Sequence, residues 1–187
     1  MLDTHTPKER IKREAMRLFV EHGVDAVSMR DIADAAGLKA PSLYAHFRSR
    51  DQLILDLFAA SYADYGRQIA TAAATKGTAQ DQLKAMVTLV CELHAKDELL
   101  FNFLLLTQHG SLRQIPEADH NPVEIICRWV ETAMNTGKIP QGNPTLTAAS
   151  IIGAIVQTAT FKLYGRLPEG LSEHTEELTK ICLKLIS

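Results

Sequence analysis

The side chains of this chain that could ligate a metal or attack an electrophile are few and scattered. Cys91 and His94 stand three residues apart, on one face if the segment is helical, and His109 and His120 could complete a set of ligands for a divalent ion. No ligand spacing of an established type accompanies them. The three cysteines, Cys91, Cys127 and Cys182, form neither a CxxC pair nor an even disulfide framework. The reading is therefore of no metal and no cofactor, a reducing cytoplasmic setting, and Cys127 and Cys182 as small buried apolar residues. No GxGxxG, GxSxG, HExxH or phosphate-loop string occurs, and the acids fall where solvated helix faces account for them. An enzyme is not expected.

A different chemistry is concentrated between Ser28 and Arg50. A cation, hydroxyls and an imidazole at Lys39, Ser42, Tyr44 and His46 are the kind of groups that meet phosphate oxygens and base edges. The formal charge of −2 conceals this. Residues 1–50 carry nine Lys/Arg against seven Asp/Glu, a net of +2, and residues 51–187 carry eleven against fifteen, a net of −4. A basic head sits on an acidic body. Lys8, Arg10, Lys12, Arg13 and Arg17 read as a solvated helix face with some general attraction for phosphate.

The elements that must position these donors are punctuated clearly. Thr6-Pro7-Lys8-Glu9 is a capping box with proline at the first helical position, followed by Ile11, Ala15, Leu18 and Phe19 at helical spacing and Gly23 as a stop. Ser28-Met29-Arg30-Asp31 opens a second helix with Ile32, Ala33 and Ala36 inward before Gly37. Ala40 to Phe47 makes a third, with Leu43 and Phe47 on one face. Ser49-Arg50-Asp51-Gln52 is another box, starting a long helix to about Ala74 with Leu53, Leu57 and Phe58 inward. Two short helices joined by a glycine turn are a helix-turn-helix, whose outer residues, Lys39, Ala40, Pro41, Ser42, Tyr44 and His46, are free to enter a major groove about 12 Å wide. Phe47 belongs to the core and Tyr44 to the outer face. Beyond Gly77 the pattern stays helical: Asp81–Ala95, a leucine-rich Asp97–Gln108 buried nearly all round, a loop over Gly110–Asn121, then helices from Asn121-Pro122, from Asn143-Pro144 and over Leu171–Ile186. The expectation is an all-α chain of about nine helices.

The string SMRDIADAAGLKAPSLYAHFRSRDQL resembles the DNA-binding signature of TetR-type regulators, with its "IA..AG" helix and turn and "LY.HF.S...L" recognition helix, and the match extends over residues 10–58. The resemblance implies an N-terminal helix-turn-helix domain over 1–50 and a helical ligand-binding and dimerisation domain over 51–187. It implies phosphate contacts from Ser28 and Arg30, contacts to bases and backbone from Lys39, Ala40, Pro41, Ser42, Tyr44 and His46, a phosphate held by Arg50 with the amides of its helix, and Arg48 as a further anchor. Many relatives have serine where Lys39 stands. Lysine cannot accept the capping hydrogen bond, so the recognition helix here starts without one.

Function read on this basis is that of a transcriptional regulator, a repressor, which binds a palindromic double-stranded operator as a homodimer and is released by a small-molecule effector. The dimer would form through the last two helices, where Ala148, Ala149, Gly153 and Ala154 allow close approach and Ile152, Ile155, Val156, Leu178, Ile181 and Leu185 supply apolar area. An effector pocket would be lined by Phe103, Leu104, Trp129 and Phe161, with His94, Gln108 or Gln157 as polar anchors. The alternative is a helical DNA-binding structural or recruiting protein without an inducer. Leu146–Phe161 is apolar but interrupted by Thr147, Ser150, Gln157, Thr158 and Thr160, and reads as a buried helix with no membrane partner.

Overall fold

The computed structural model describes residues 6–111 and 120–187, and every regular element among them is helical. Nine α-helices follow one another: α1 Pro7–His22, α2 Met29–Ala35, α3 Ala40–His46, α4 Arg50–Ala73, α5 Ala79–Lys96, α6 Glu98–Ser111, α7 Pro122–Asn135, α8 Pro144–Leu163 and α9 Thr175–Lys184. Single 3-10 turns stand at Val24–Ala26 and Leu171–His174. The loop expected over Gly110–Asn121 lies largely outside the described residues. The final helix expected over Leu171–Ile186 is instead the second of these turns followed by α9, with Leu171 fully buried where the chain changes its winding.

Side-chain caps explain most of the starts. Thr6, Asn121 and Asn143 accept backbone N–H groups of α1, α7 and α8. The boxes expected at α1 and α4 are half-formed: Thr6 and Ser49 each accept a backbone N–H, but Glu9 pairs with Lys12 at 2.9 Å and the Gln52 amide donates to Asp56 at 2.6 Å. Reciprocal boxes form at Ser28–Asp31 and at Thr78–Asp81.

Packing divides the chain into two compact units, the first taking Met1–Ser61 and Asp97–Pro116, the second Tyr62–Lys96 and Glu117–Ser187. In the first, Ile11, Ala15, Met16, Leu18 and Phe19 form the buried stripe of α1, and Leu53, Ile54, Leu57 and Phe58 that of the first half of α4. Phe19 stacks on Phe103 of α6 with ring centroids 6.1 Å apart. One guanidinium nitrogen of Arg13 reaches both carboxylate oxygens of Asp97 at 2.7 and 2.8 Å, and Asp97 also caps α6 by accepting the Leu100 N–H. The helix α6 therefore packs with α1. It is not buried all round as its composition suggests: Leu106 is 41% exposed.

In the second unit α7 packs on α8 and α5 on α9. The Trp129 indole donates to Gln82 Oε1 at 2.9 Å, and the Tyr62 hydroxyl to Asn121 Oδ1 at 3.4 Å. Burial, reinforced by Glu124, pushes the Tyr62 phenol up to about 12. At Gly66 the lead-in to α7 crosses α4 so closely that an added Cβ would run into the His120 carbonyl. The α8 helix corrects a second expectation. Ala148, Ile151, Ile155 and Ala159 form a single buried stripe, while Ala149, Gly153 and Gln157 are exposed, as are Leu146 at 65% and Phe161 at 47%. By length and composition alone α8 would also pass for a membrane span. Ala148, Ile155 and Leu178, expected at a dimer seam, are consumed inside the unit; exposed instead are Leu146, Ala149, Gly153, Phe161 and Tyr164 and, toward the end of the chain, Ile181 and Leu185.

Candidate nucleic-acid interface

The helix-turn-helix lies wholly within the first unit. Ala33 is fully buried and Ala36 2% exposed, which lets the helix axes pass closely, and Ile32 and Leu43 are fully buried beside them. The turn closes as a Schellman-type cap: the Leu38 N–H donates to Ala33 O at 2.9 Å and the Gly37 N–H to Asp34 O at 3.1 Å, with Gly37 at φ 65°. Only glycine adopts that backbone cheaply.

The α2 start is self-contained. The Ser28 hydroxyl donates to Asp31 Oδ2 at 2.6 Å and accepts the Asp31 N–H at 3.3 Å, while the Ser28 N–H donates to the same carboxylate at 2.8 Å. These bonds, the hydroxyl's first, hold the Asp31 carboxyl below its ordinary 3.8. The exposed Ser28 thus has its hydroxyl proton engaged.

The α3 start has no such help, since Lys39 occupies the cap position and makes no capping bond. The helix is held by its inner side: Leu43 is fully buried and Phe47 is 2% exposed, with the Lys8 ammonium 5.7 Å from the Phe47 ring centre. Its outer side is Lys39, Pro41, Ser42, Tyr44 and His46, all exposed, with Ala40 half-buried at the edge; Tyr44 is 53% exposed. Arg30 and Arg48 are exposed on either side. Arg50 is placed differently from the other cations, its guanidinium directed at backbone carbonyls of residues 24–27. On α1, Lys12, Arg13 and Arg17 are engaged by Glu9, Asp97, Glu14 and Glu21.

The residues nominated for an effector pocket fall in both units. In the first, Phe103 stacks on Phe19, Leu104 is buried, and the Gln108 amide donates to Leu105 O in its own helix. In the second, His94 is buried, Trp129 is bonded to Gln82, and Gln157 and Phe161 stand on the exposed side of α8. The side chain of His109 lies outside the described residues. Burial holds the Cys91 and Cys127 thiols above their ordinary value and pushes Cys182 up to about 11, so all three are poor nucleophiles. Asn102 was not singled out by the sequence reading. It is 7% exposed in α6, and its Oδ1 has no hydrogen-bond partner among the described residues. The signal available was an asparagine within ELLFNFLLL.

Two short crossed helices with a bare, donor-rich outer row define a helix-turn-helix protein. The profile described as bacterial regulatory proteins, tetR family, matches residues 11–57. The HTH-type transcriptional repressor ComR of Escherichia coli (strain K12) is 41% identical over 56 residues, covering 26% of this chain and 27% of its own. KstR2 of Rhodococcus jostii (strain RHA1), also an HTH-type transcriptional repressor, is 35% identical over 74 residues, covering 40% and 36%. These alignments span about a quarter to a third of the curated relatives' length. Similar folds run over nearly the whole chain: the fatty acid degradation regulator FadR of Bacillus halodurans has a TM-score of 0.80 at 17% identity, covering 99% of this chain and 97% of its own. FadR of Bacillus subtilis, solved with stearoyl-CoA, has a TM-score of 0.72 at 20% identity, covering 95% and 97%. Residues 11–57 thus match the tetR-family DNA-binding profile, and the whole chain has a fold similar to that of these regulators.

Proposed function

We propose that this protein is a cytoplasmic transcriptional repressor that lays α3 into the major groove of a two-fold operator as a homodimer. The observation that carries the reading is the division of α3 into a buried side, Leu43 and Phe47, and a bare side of Lys39, Ser42, Tyr44 and His46. Ser28, Arg30 and Arg48 flank that row as phosphate ligands, with Ala40 and Pro41 offering apolar contact to thymine methyls. Dimerisation through α8 and α9 is supported by the exposed Leu146, Phe161, Tyr164, Ile181 and Leu185, which a second copy would cover, and by the small Ala149 and Gly153 between them. Such pairing sets two recognition helices about 34–36 Å apart, one turn of B-DNA.

The effector in this reading is an apolar molecule with a polar end. The stearoyl-CoA held by a FadR of similar fold supports that class, as does the buried amide oxygen of Asn102, which has no hydrogen-bond partner among the described residues, next in sequence to Phe101, Phe103 and Leu104. Because α6 packs in the unit that contains the helix-turn-helix, through Phe19–Phe103 and Arg13–Asp97, an effector that shifts α6 has a short mechanical path to α1. A second reading, a DNA-bound structural or recruiting protein without inducer, is favoured by Trp129 and Phe103, whose polar and aromatic capacities are already satisfied within the protein.

Selection of bound duplexes from a random pool tests the DNA half: an enriched palindrome is expected, and replacing Tyr44 by alanine should weaken binding to it by about 1–3 kcal/mol. Enrichment of no sequence would refute it. Thermal stabilisation by stearoyl-CoA and by shorter acyl thioesters, together with release from the selected palindrome, tests the effector half. The inducer-free reading takes over if none of them shifts melting or binding.

A further inference from the structure

We infer that Arg50 is a positioning residue, a clamp whose guanidinium Nη1, held on the protein's own backbone carbonyls, closes the helix-turn-helix onto α4. One terminal guanidinium nitrogen, Nη1, lies 3.2 Å from Val24 O, 3.4 Å from Asp25 O and 3.3 Å from Val27 O. Its Nε faces the Asp51 carboxylate at 3.5 Å. The three carbonyls belong to the 3-10 turn Val24–Ala26 and to the residue before the Ser28 cap, a place where a helix of one turn leaves carbonyl groups without partners. Each contact is long for an N–H···O bond, and a nitrogen with two hydrogens cannot serve three acceptors linearly. The convergence of three carbonyl dipoles on one cation is therefore an electrostatic cradle more than a set of discrete bonds.

The position of this cradle gives it consequence. The chain enters the helix-turn-helix at residues 24–27 and leaves it at Arg50, the first residue of α4, so a single side chain ties the two ends of the motif together. The pair α2 and α3 hangs between those ends. Loss of the tie frees the lead-in to α2 from α4 and so loosens the orientation of the outer row of α3, although no atom of that row is touched. Arginine suits the task because its guanidinium keeps its charge in a half-buried setting and its fork holds direction; lysine offers an equal charge as a point. The side chain is 31% exposed, so its removal leaves no cavity in the core.

The clamp rests on geometry alone, while its effect on DNA rests on the proposed regulator reading, and two measurements on the full chain separate them. Amide hydrogen exchange without DNA compares wild type with Arg50→Ala, Arg50→Gln and Arg50→Lys. Exchange over residues 24–31 should be faster by about tenfold in the alanine variant, as expected for losing charge-assisted bonds, and by less in the lysine variant. Exchange in α9 should not change. Salt titration of binding to the selected palindrome should then show weaker binding for Arg50→Gln that persists across the salt range, the part of the loss a clamp accounts for. Unchanged exchange over 24–31, with the slope reduced by about one in both neutral variants, would make Arg50 a phosphate ligand and overturn the clamp. Should wild type bind no duplex at all, the exchange measurement still decides the clamp, and only the regulator reading falls.

Discussion

The short helix α3 and the long helix α8 are each buried along one stripe and bare along the opposite one, and the bare stripes have opposite chemistry. On α3 the exposed residues are Lys39, Ser42, Tyr44 and His46; on α8 they include Leu146, Ala149, Gly153 and Phe161. Donors in water are already hydrogen-bonded and exchange that water for phosphate oxygens and base edges at little cost. An apolar stripe carries a hydration penalty until another apolar surface covers it. In the proposed reading partner chemistry is separated along the chain, polyanion at one end and protein at the other, and the mounting of the two helices differs. Seven residues of α3 with no side-chain cap depend on two buried anchors, whereas twenty residues of α8 begin with a bonded Asn143.

The largest effect should come from removing an anchor of α3. Leu43 is fully buried, so Leu43→Ala should cost about 2–5 kcal/mol, a large part of a domain's stability. DNA binding should disappear while sedimentation still reports the wild-type oligomer, because α8 is untouched. Loss of both together would mean that the two faces are not independent. Phe161→Glu should do the reverse by placing a carboxylate in the proposed dimer seam. Dimer dissociation should rise about a hundredfold, as for loss of a central apolar contact, with DNA affinity falling as a consequence. The control is Leu106→Glu, at an exposed leucine of α6, which should sediment as wild type. A Phe161→Glu protein that remains dimeric would move the seam elsewhere.

The contrast between the stripes was only half legible in the sequence. For α3 it could be read directly, because Gly37 and Pro41 mark where the short helix starts, and Leu43 and Phe47 then fix its register. For α8 the apolar residues go nearly all the way round, so periodicity could not say which stripe faces inward; Ala148 and Ile155 turned in and Leu146 and Phe161 turned out. The role of Gly66 was likewise hidden, since a glycine inside a helix shows its purpose only when the His120 carbonyl is seen against it. Arg50 is the same kind of case at the proposed interface. Its type and position suggested phosphate, and only the placement of residues 24–27 reveals the carbonyls that face it. The packing of α6 with α1 depends on Arg13–Asp97, a pair 84 residues apart that no local pattern announces.

A smaller effect should follow from giving α3 the cap it lacks. Lys39→Ser supplies a side-chain oxygen for the Ser42 N–H, which donates to Lys39 O at 2.9 Å while Pro41 offers no N–H, and should stabilise the first unit by less than about 1 kcal/mol, read by thermal melting. The same change removes a cation from the outer row. If Lys39 touches a phosphate, the salt slope should fall by about one even as melting rises. The two signs together distinguish a contact residue from a poor cap. A variant that melts higher and binds DNA with an unchanged slope would take Lys39 off the interface.

The smallest effect expected concerns pH, and it asks whether the two regions differ in anything besides their bare stripes. The first unit starts α2 with Ser28–Asp31, and the second starts α5 with Thr78–Asp81. Both carboxyls are held below 3.8, Asp31 by the Ser28 hydroxyl and then its N–H, Asp81 by the Thr78 N–H and then its hydroxyl. A carboxyl whose folded value is depressed contributes stability that is fully present above its unfolded value and is lost as pH falls through the folded one. Asparagine is the neutral isostere, so Asp31→Asn and Asp81→Asn should each melt below wild type above pH 3.8, and each difference should close as acid protonates the native carboxyl. Equal behaviour would place the contrast between the units in the bare stripes of α3 and α8 alone. A difference that persists at low pH for Asp31 but not for Asp81 would show that the α2 box is held by more than its own hydrogen bonds, with the Arg50 cradle one residue before Ser28 as the nearest source.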